Sequence, residues 1–142
     1  MRALFDVNLL IAAFDEEHAL HERAIQWWGA NQTHGWASCP LSQNGFVRVM
    51  SQPNYSSPIS TDAALALFEE QIRATDHAFW PDDISLTDSR LFDRAHIMGP
   101  KQLTDIYLLA LAVKNDGRLA TLDRAIALAA VRGAEPRHVV VV

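Results

Sequence analysis

The sequence predicts an α/β fold, a three-layer α/β/α sandwich around a central, mostly parallel sheet. Three observations carry that expectation. Short apolar segments near residues 2–5, 36–38, 77–81, 119–122 and 138–142 are each too brief for a helix and read as strands. Stretches with helical periodicity separate them, and strands alternating with helices favour crossover units over hairpins. A length of 142 residues, 49% hydrophobic and 20% charged, suits one globular domain over residues 1–142 with a sizeable core.

In chain order, residues 2–5 form a strand ending at Asp6, and residues 8–14 follow as a short helix. Asp6 has two readings at this point, a helix N-cap or an acid presented at a strand end. The next helix, about residues 17–28, has Leu20, Ala24, Trp27 and Trp28 at helical spacing. His18 and His21 fall on it three residues apart, without the cysteines or third histidine of a zinc motif. Residues 36–38 are the second strand, stopped by Cys39-Pro40, and residues 41–50 are a helix with Gly45 inside it. An interior glycine costs about 1 kcal/mol relative to alanine, which points to close packing there. Residues 52–60, with Pro53, Asn54 and Pro58, form a loop, and Ser60 or Thr61 caps a helix carrying Leu65, Phe68 and Ile72 on one face.

Residues 77–81 are the third strand, with Trp80 read as core. Asp82, Asp83 and Asp88 lie in or beside a loop and short helix, and a solvated loop or N-cap takes precedence over a metal pair. Residues 94–101 are a further loop. Residues 104–123 hold a polar pair (Thr104, Asp105), an apolar helix, a turn at Asn115-Asp116-Gly117, a strand and a second acid, Asp123. A small-residue helix over 125–131 and a strand over 138–142 complete the chain.

Residues 1–17 contain one arginine and are interrupted by Asp6, so they read as buried strand and helix rather than a signal peptide. No apolar run approaches the roughly 20 residues of a membrane span. The single cysteine, Cys39, excludes an internal disulfide and agrees with a reducing, cytoplasmic setting. A net charge of -5 argues against a general nucleic-acid coat, although ten arginines against two lysines suit bidentate phosphate contacts.

Asp6, Asp105 and Asp123 share one expectation. In a parallel sheet, strand C-termini and helix N-termini meet at one edge, so three acids distant in sequence can converge there. Clustered carboxylates raise one another's pKa unless a cation neutralises them. Oxygen-only ligands point to Mg²⁺ or Mn²⁺ rather than zinc, and such ions in an acidic cleft serve phosphoryl chemistry. Asn8 and Thr121, each two residues from an acid, are placed to orient it or an outer water.

Four segments together, LFDVNLLIAAFD, CPLSQNGFVRVMSQP, LTDIYLLALAV and GRLATLD, resemble PIN-domain proteins, in particular VapC-type toxin ribonucleases of bacterial toxin–antitoxin systems. The resemblance spans essentially the whole chain. It implies Asp6, Asp105 and Asp123 as acids of a metal site, with Asn8 and Thr121 in support. It also implies Mg²⁺-dependent hydrolysis of RNA phosphodiester bonds, a cognate VapB-like antitoxin and a homodimer. Arg48 is an RNA-contact candidate on the surface. One position departs from the pattern: Gln43 stands where the resembled subfamily generally has a glutamate of the acidic quartet. Glutamine keeps an oxygen but loses the charge, which implies weaker metal binding and an attenuated enzyme.

Two other readings remain. A non-catalytic PIN-like module would bind RNA or protein only. A haloacid-dehalogenase-type phosphohydrolase also has an acid after its first strand, but needs a second acid where this chain has Asn8. Leu20, Trp27, Trp28, Leu65 and Phe68 serve either as core or as a groove for an amphipathic helix of the antitoxin.

Overall fold

All five strands pair in parallel, in the order β3-β2-β1-β4-β5, in a computed structural model that describes residues 1–142. They are β1 (Ala3–Phe5), β2 (Trp36–Ser38), β3 (His77–Phe79), β4 (Arg118–Thr121) and β5 (Val139–Val141). Central Leu4 lies opposite both Ala37 and Leu119, so the first strand is flanked by the second and the fourth. That pairing sets the far end of the chain beside the near end: Phe5 is in register with Ala120, and the residues that follow these two are Asp6 and Thr121.

Helices α1 (Val7–Phe14), α2 (His21–Asn31), α3 (Pro40–Met50) and α4 (Thr61–Ala74) cover one face, and α5 (Leu103–Lys114) covers the other. The first core joins Phe5 and Trp36 to Leu10, Ala24, Phe46 and Phe68. Phe46 lies 5.5 Å from Phe14 and 5.3 Å from Phe68, ring centre to ring centre, in edge-to-face contacts. The second core is built around α5, which is buried from Ile106 through Ala112. A helix apolar on every side has to be enclosed, and here the sheet and two irregular segments, one with Phe92 and one with Ala130 and Val131, enclose it.

The helix starts follow from local chemistry. Asp6 Oδ1 accepts from the Leu9 amide at 2.7 Å, and Ser60 Oγ accepts from Ala63 at 3.0 Å, each satisfying an otherwise unpaired first-turn donor. Pro40 occupies the first position of α3, where its missing N–H costs nothing.

Gly45 is where α3 meets the start of α1. A Cβ there would lie 2.5 Å from Val7 Cγ2, and a β-branched side chain yields little. Overpacking of this kind costs about 1–3 kcal/mol, against up to about 1 kcal/mol gained in helix propensity. Gly45→Ala is therefore expected to lower stability in urea titrations. Gly29→Ala, on α2 with nothing within 4 Å of the added carbon, is expected to raise it.

Three expectations are corrected. Helix α2 begins at His21, so His18 is not on it. The amides of His18 and His21 donate three residues back, to Asp15 and His18, in successive turns. His18 Nδ1 accepts from Leu20, and His21 Nδ1 pairs with the Ala12 carbonyl, so both rings serve the backbone. Residues 125–131 form no α-helix, only a short 3-10 turn at Leu128–Ala130. Their backbone is taken by a cross-chain pairing: Val131 bridges Phe92, Asp93 N–H donates to Ala130 and Arg132 N–H donates to Leu91. Alanine-rich propensity over so short a stretch does not outweigh such tertiary pairing. Residues 82–88 likewise contain no helix.

Candidate functional site

The C-terminal edge of β1 and β4 gathers the acids. Asp6 directly follows β1, is 4% exposed, and uses its two oxygens differently. Oδ1 caps α1, while Oδ2 accepts a short hydrogen bond from the Thr121 hydroxyl. The same Thr121 Oγ accepts from the Asp123 backbone amide at 2.9 Å. Thr121, fully buried at the end of β4, thus locks the chain leading to Asp123 onto Asp6 across 115 residues of sequence. Asp123 Oδ1 accepts from Ala125, which turns the following chain away. Asp105 is the third residue of α5, half-buried, in the first turn where the helix dipole favours a negative charge.

Each of these carboxylates lies within reach of another's charge. Burial pushes Asp6 up to about 6 from an ordinary 3.8; the Thr121 and Leu9 hydrogen bonds pull it down, and the charges of Asp105 and Asp123 push it further up. Asp105 is raised too, by burial first and then by the Asp123 charge. None of the six ion pairs in the protein involves any of the three. The side chains do not close into a ready cage, since no three acidic, histidine or cysteine groups converge tightly enough to hold an ion as they stand. The donor set nevertheless fits a hard divalent cation: carboxylate oxygens, one of them buried, without a lysine or arginine to neutralise them.

Gln43 lies in the first turns of α3, half-buried. Its Nε2 donates to Ser38 Oγ at 3.0 Å, and Ser38 Oγ lies 2.7 Å from His77 Nε2. Burial, and secondarily the Arg2 guanidinium, lower the His77 pKa, so a neutral ring is available to accept from Ser38. The Gln43 amide is therefore engaged toward β2 and β3, and no hydrogen bond joins it to the three aspartates. Asn8, itself exposed in the first turn of α1, and Arg48, exposed in the last turn of α3, make no side-chain hydrogen bond within the chain.

Sequence reasoning missed the Ser38–His77 pair and the job of Asp82. The Asp82 carboxylate accepts from the Leu41 amide at 2.8 Å and so caps α3 from 41 residues away, while Asp83 pairs with Lys114 at 2.6 Å. The loop-or-cap reading of this acidic pair is correct, but the helix it caps is a distant one. A polar residue ending β2 just before Cys39-Pro40 is the only local signal that could have flagged Ser38.

Comparison with known proteins agrees with this arrangement. The PIN-domain family profile matches residues 3–132. Ribonuclease VapC44 of Mycobacterium tuberculosis is 51% identical over 138 residues, 97% of each chain. Ribonuclease VapC39 of the same organism is 37% identical over 134 residues, covering 94% of this chain and 96% of its own. Ribonuclease VapC38, also from that organism, is 41% identical over 122 residues, 85% of this chain and 84% of its own.

Proposed function

This chain belongs to the VapC-type PIN-domain proteins, and from that premise we propose that it is the toxin of a toxin–antitoxin pair, a divalent-metal-dependent endoribonuclease. The observation that carries the chemistry is the uncompensated acid group: Asp6 is buried, pushed up to about 6, and neither it nor its neighbours Asp105 and Asp123 has a cationic partner. Asp6, Asp105 and Asp123 would hold Mg²⁺ or Mn²⁺. Such an ion supplies charge neutralisation for the scissile phosphate and a water of lowered pKa. Thr121 keeps one Asp6 oxygen oriented and fixes the approach of Asp123, and Asn8, two residues after Asp6 and exposed, is the proposed group to orient solvent or substrate. Arg48, exposed and unpaired, is the proposed contact for RNA phosphate.

Gln43 sets the level of activity in this reading. With glutamine there the site has three formal negatives instead of four, and the enzyme is attenuated. The engagement of Gln43 with Ser38 also favours a second reading, a PIN-like protein that binds RNA or protein without cutting.

A VapB-like antitoxin and a homodimer complete the proposal. An open groove of about 350 Å³ between α3 and α4, lined by Gln43, Val47, Leu65, Phe68, Glu69 and Ile72, suits an amphipathic helix. Leu65, 58% exposed on its rim, is the least buried of these apolar residues. Leu20, Trp27 and Trp28 pack half-buried on the first core instead.

The test is RNA cleavage in Mg²⁺, Mn²⁺ or EDTA by the native chain, Asp105→Asn and Gln43→Glu. Metal-dependent cleavage by the native chain or Gln43→Glu, absent in EDTA and weakened in Asp105→Asn, supports the nuclease. Failure of both the native chain and Gln43→Glu to cut any RNA leaves the binding module as the reading.

A further inference from the structure

A second concavity adjoins the acids on the same sheet edge. It is an open groove of about 350 Å³ between the start of α3, the loop after β3 and the first turn of α5, lined by Leu41, Asp82, Leu86, Leu103, Thr104 and Tyr107. Three large apolar side chains stay uncovered around it, Leu41 at 38%, Leu86 at 41% and Leu103 at 37% exposure, and a single carboxylate sits among them. One Asp82 oxygen accepts from the Leu41 amide, which fixes the group at the head of α3. Asp82 forms no ion pair, Lys114 being held by Asp83; the Tyr107 hydroxyl and the Cys39 thiol lie beside it, and a carboxylate with two oxygens still has lone pairs to accept from a ligand. The first turn of α5 is shared: Leu103 and Thr104 line the groove, and the next residue, Asp105, belongs to the acid group.

We propose that this groove binds the base of a guanosine nucleotide, with Asp82 reading its Watson–Crick edge between the leucine walls. The groove has no cationic lining residue, so it is unsuited to phosphate and suited to a base. An ionised carboxylate only accepts hydrogen bonds. Guanine alone offers two adjacent N–H donors on that edge; adenine and cytosine set an acceptor beside their donor, and uracil flanks its donor with two acceptors. Bases of single-stranded RNA are commonly held in this way, sandwiched by side chains and hydrogen-bonded on the exposed edge. Placing that guanosine beside the scissile phosphate rests on the ribonuclease reading above; the base pocket itself does not.

The experiment titrates the full chain in EDTA with guanosine, adenosine, cytidine and uridine 5′-monophosphates, followed by NMR of backbone amides and leucine methyls. Guanosine monophosphate is expected to shift Leu41, Leu86 and Leu103 and to bind at least about fivefold tighter than the other three. Asp82→Asn, which keeps an oxygen for the Leu41 amide and so protects the fold, is expected to erase that preference. Equal responses to all four nucleotides, no response at the groove, or an unchanged preference in Asp82→Asn overturns the proposal. Binding is read without cleavage, so the two readings fail separately: a chain that binds guanosine here yet cuts no RNA loses the nuclease, and one that cuts RNA with a silent groove loses the pocket.

Discussion

Asp6→Asn is expected to lower metal-dependent RNA cleavage by about a hundredfold to a thousandfold and, at the same time, to stabilise the metal-free protein at neutral pH. The first effect follows from removing a fixed charge where the transition state is neutralised. The second follows from burial. Asp6 is 4% exposed, and its pKa rises from 3.8 to about 6 on folding. A raised acid binds its proton more tightly when folded, so its stabilising contribution is fully present below the unfolded value and is lost as pH climbs through about 6. A shift of this size corresponds to a cost on the order of 3 kcal/mol at pH 7.5. Asparagine is an equally good cap for the Leu9 amide and carries no charge to desolvate. Urea unfolding in EDTA at pH 4, 5.5 and 7.5 is expected to show the native chain losing more stability with rising pH than Asp6→Asn does. Added Mg²⁺ is expected to recover stability in the native chain only, by binding the folded state. An identical pH slope in both proteins would remove Asp6 as the origin of the effect.

The features legible in the amino-acid sequence are the local ones. Strand ends, helix starts and turn residues are declared by the chain itself: β2 at Trp36–Ser38, the Ser60 cap, the glycine packed on Val7 and the acid after β1 all stand where the residues suggest. That Asp6 and Thr121 meet depends on β1 pairing with β4, a nonlocal fact that becomes an expectation only once a parallel sheet is assumed. The failures are nonlocal in the same sense. Residues 125–131 have helical composition, but Phe92 offers their backbone another partner. Asp82 reads locally as the cap of a helix following it and caps α3 instead. The direction of the Gln43 amide has no local signal either, because it is set by Ser38 and His77 on two different strands.

Gln43→Glu is expected to raise cleavage by about tenfold to a thousandfold and to move the Mg²⁺ midpoint to lower concentration. The change restores a fourth formal negative without altering side-chain length. It also reverses a hydrogen bond. The Gln43 Nε2 now donates to Ser38 Oγ at 3.0 Å, whereas a glutamate only accepts. Ser38 would then donate to Glu rather than to His77, and His77, 2.7 Å away, would have to present Nε2–H to Ser38. The alternative is that the carboxylate leaves Ser38 and turns toward the acids. Only the second route releases residue 43 from β2, whereas the first replaces the present bond by a charge-assisted one. Nitrogen-15 NMR of His77 separates the routes: a ring switched to Nε2–H reports a glutamate still on Ser38, and an unchanged ring reports one released toward the aspartates. Gln43→Glu with the native rate and the native Mg²⁺ midpoint would mean that residue 43 lies outside the reacting site and that its glutamine has no bearing on activity.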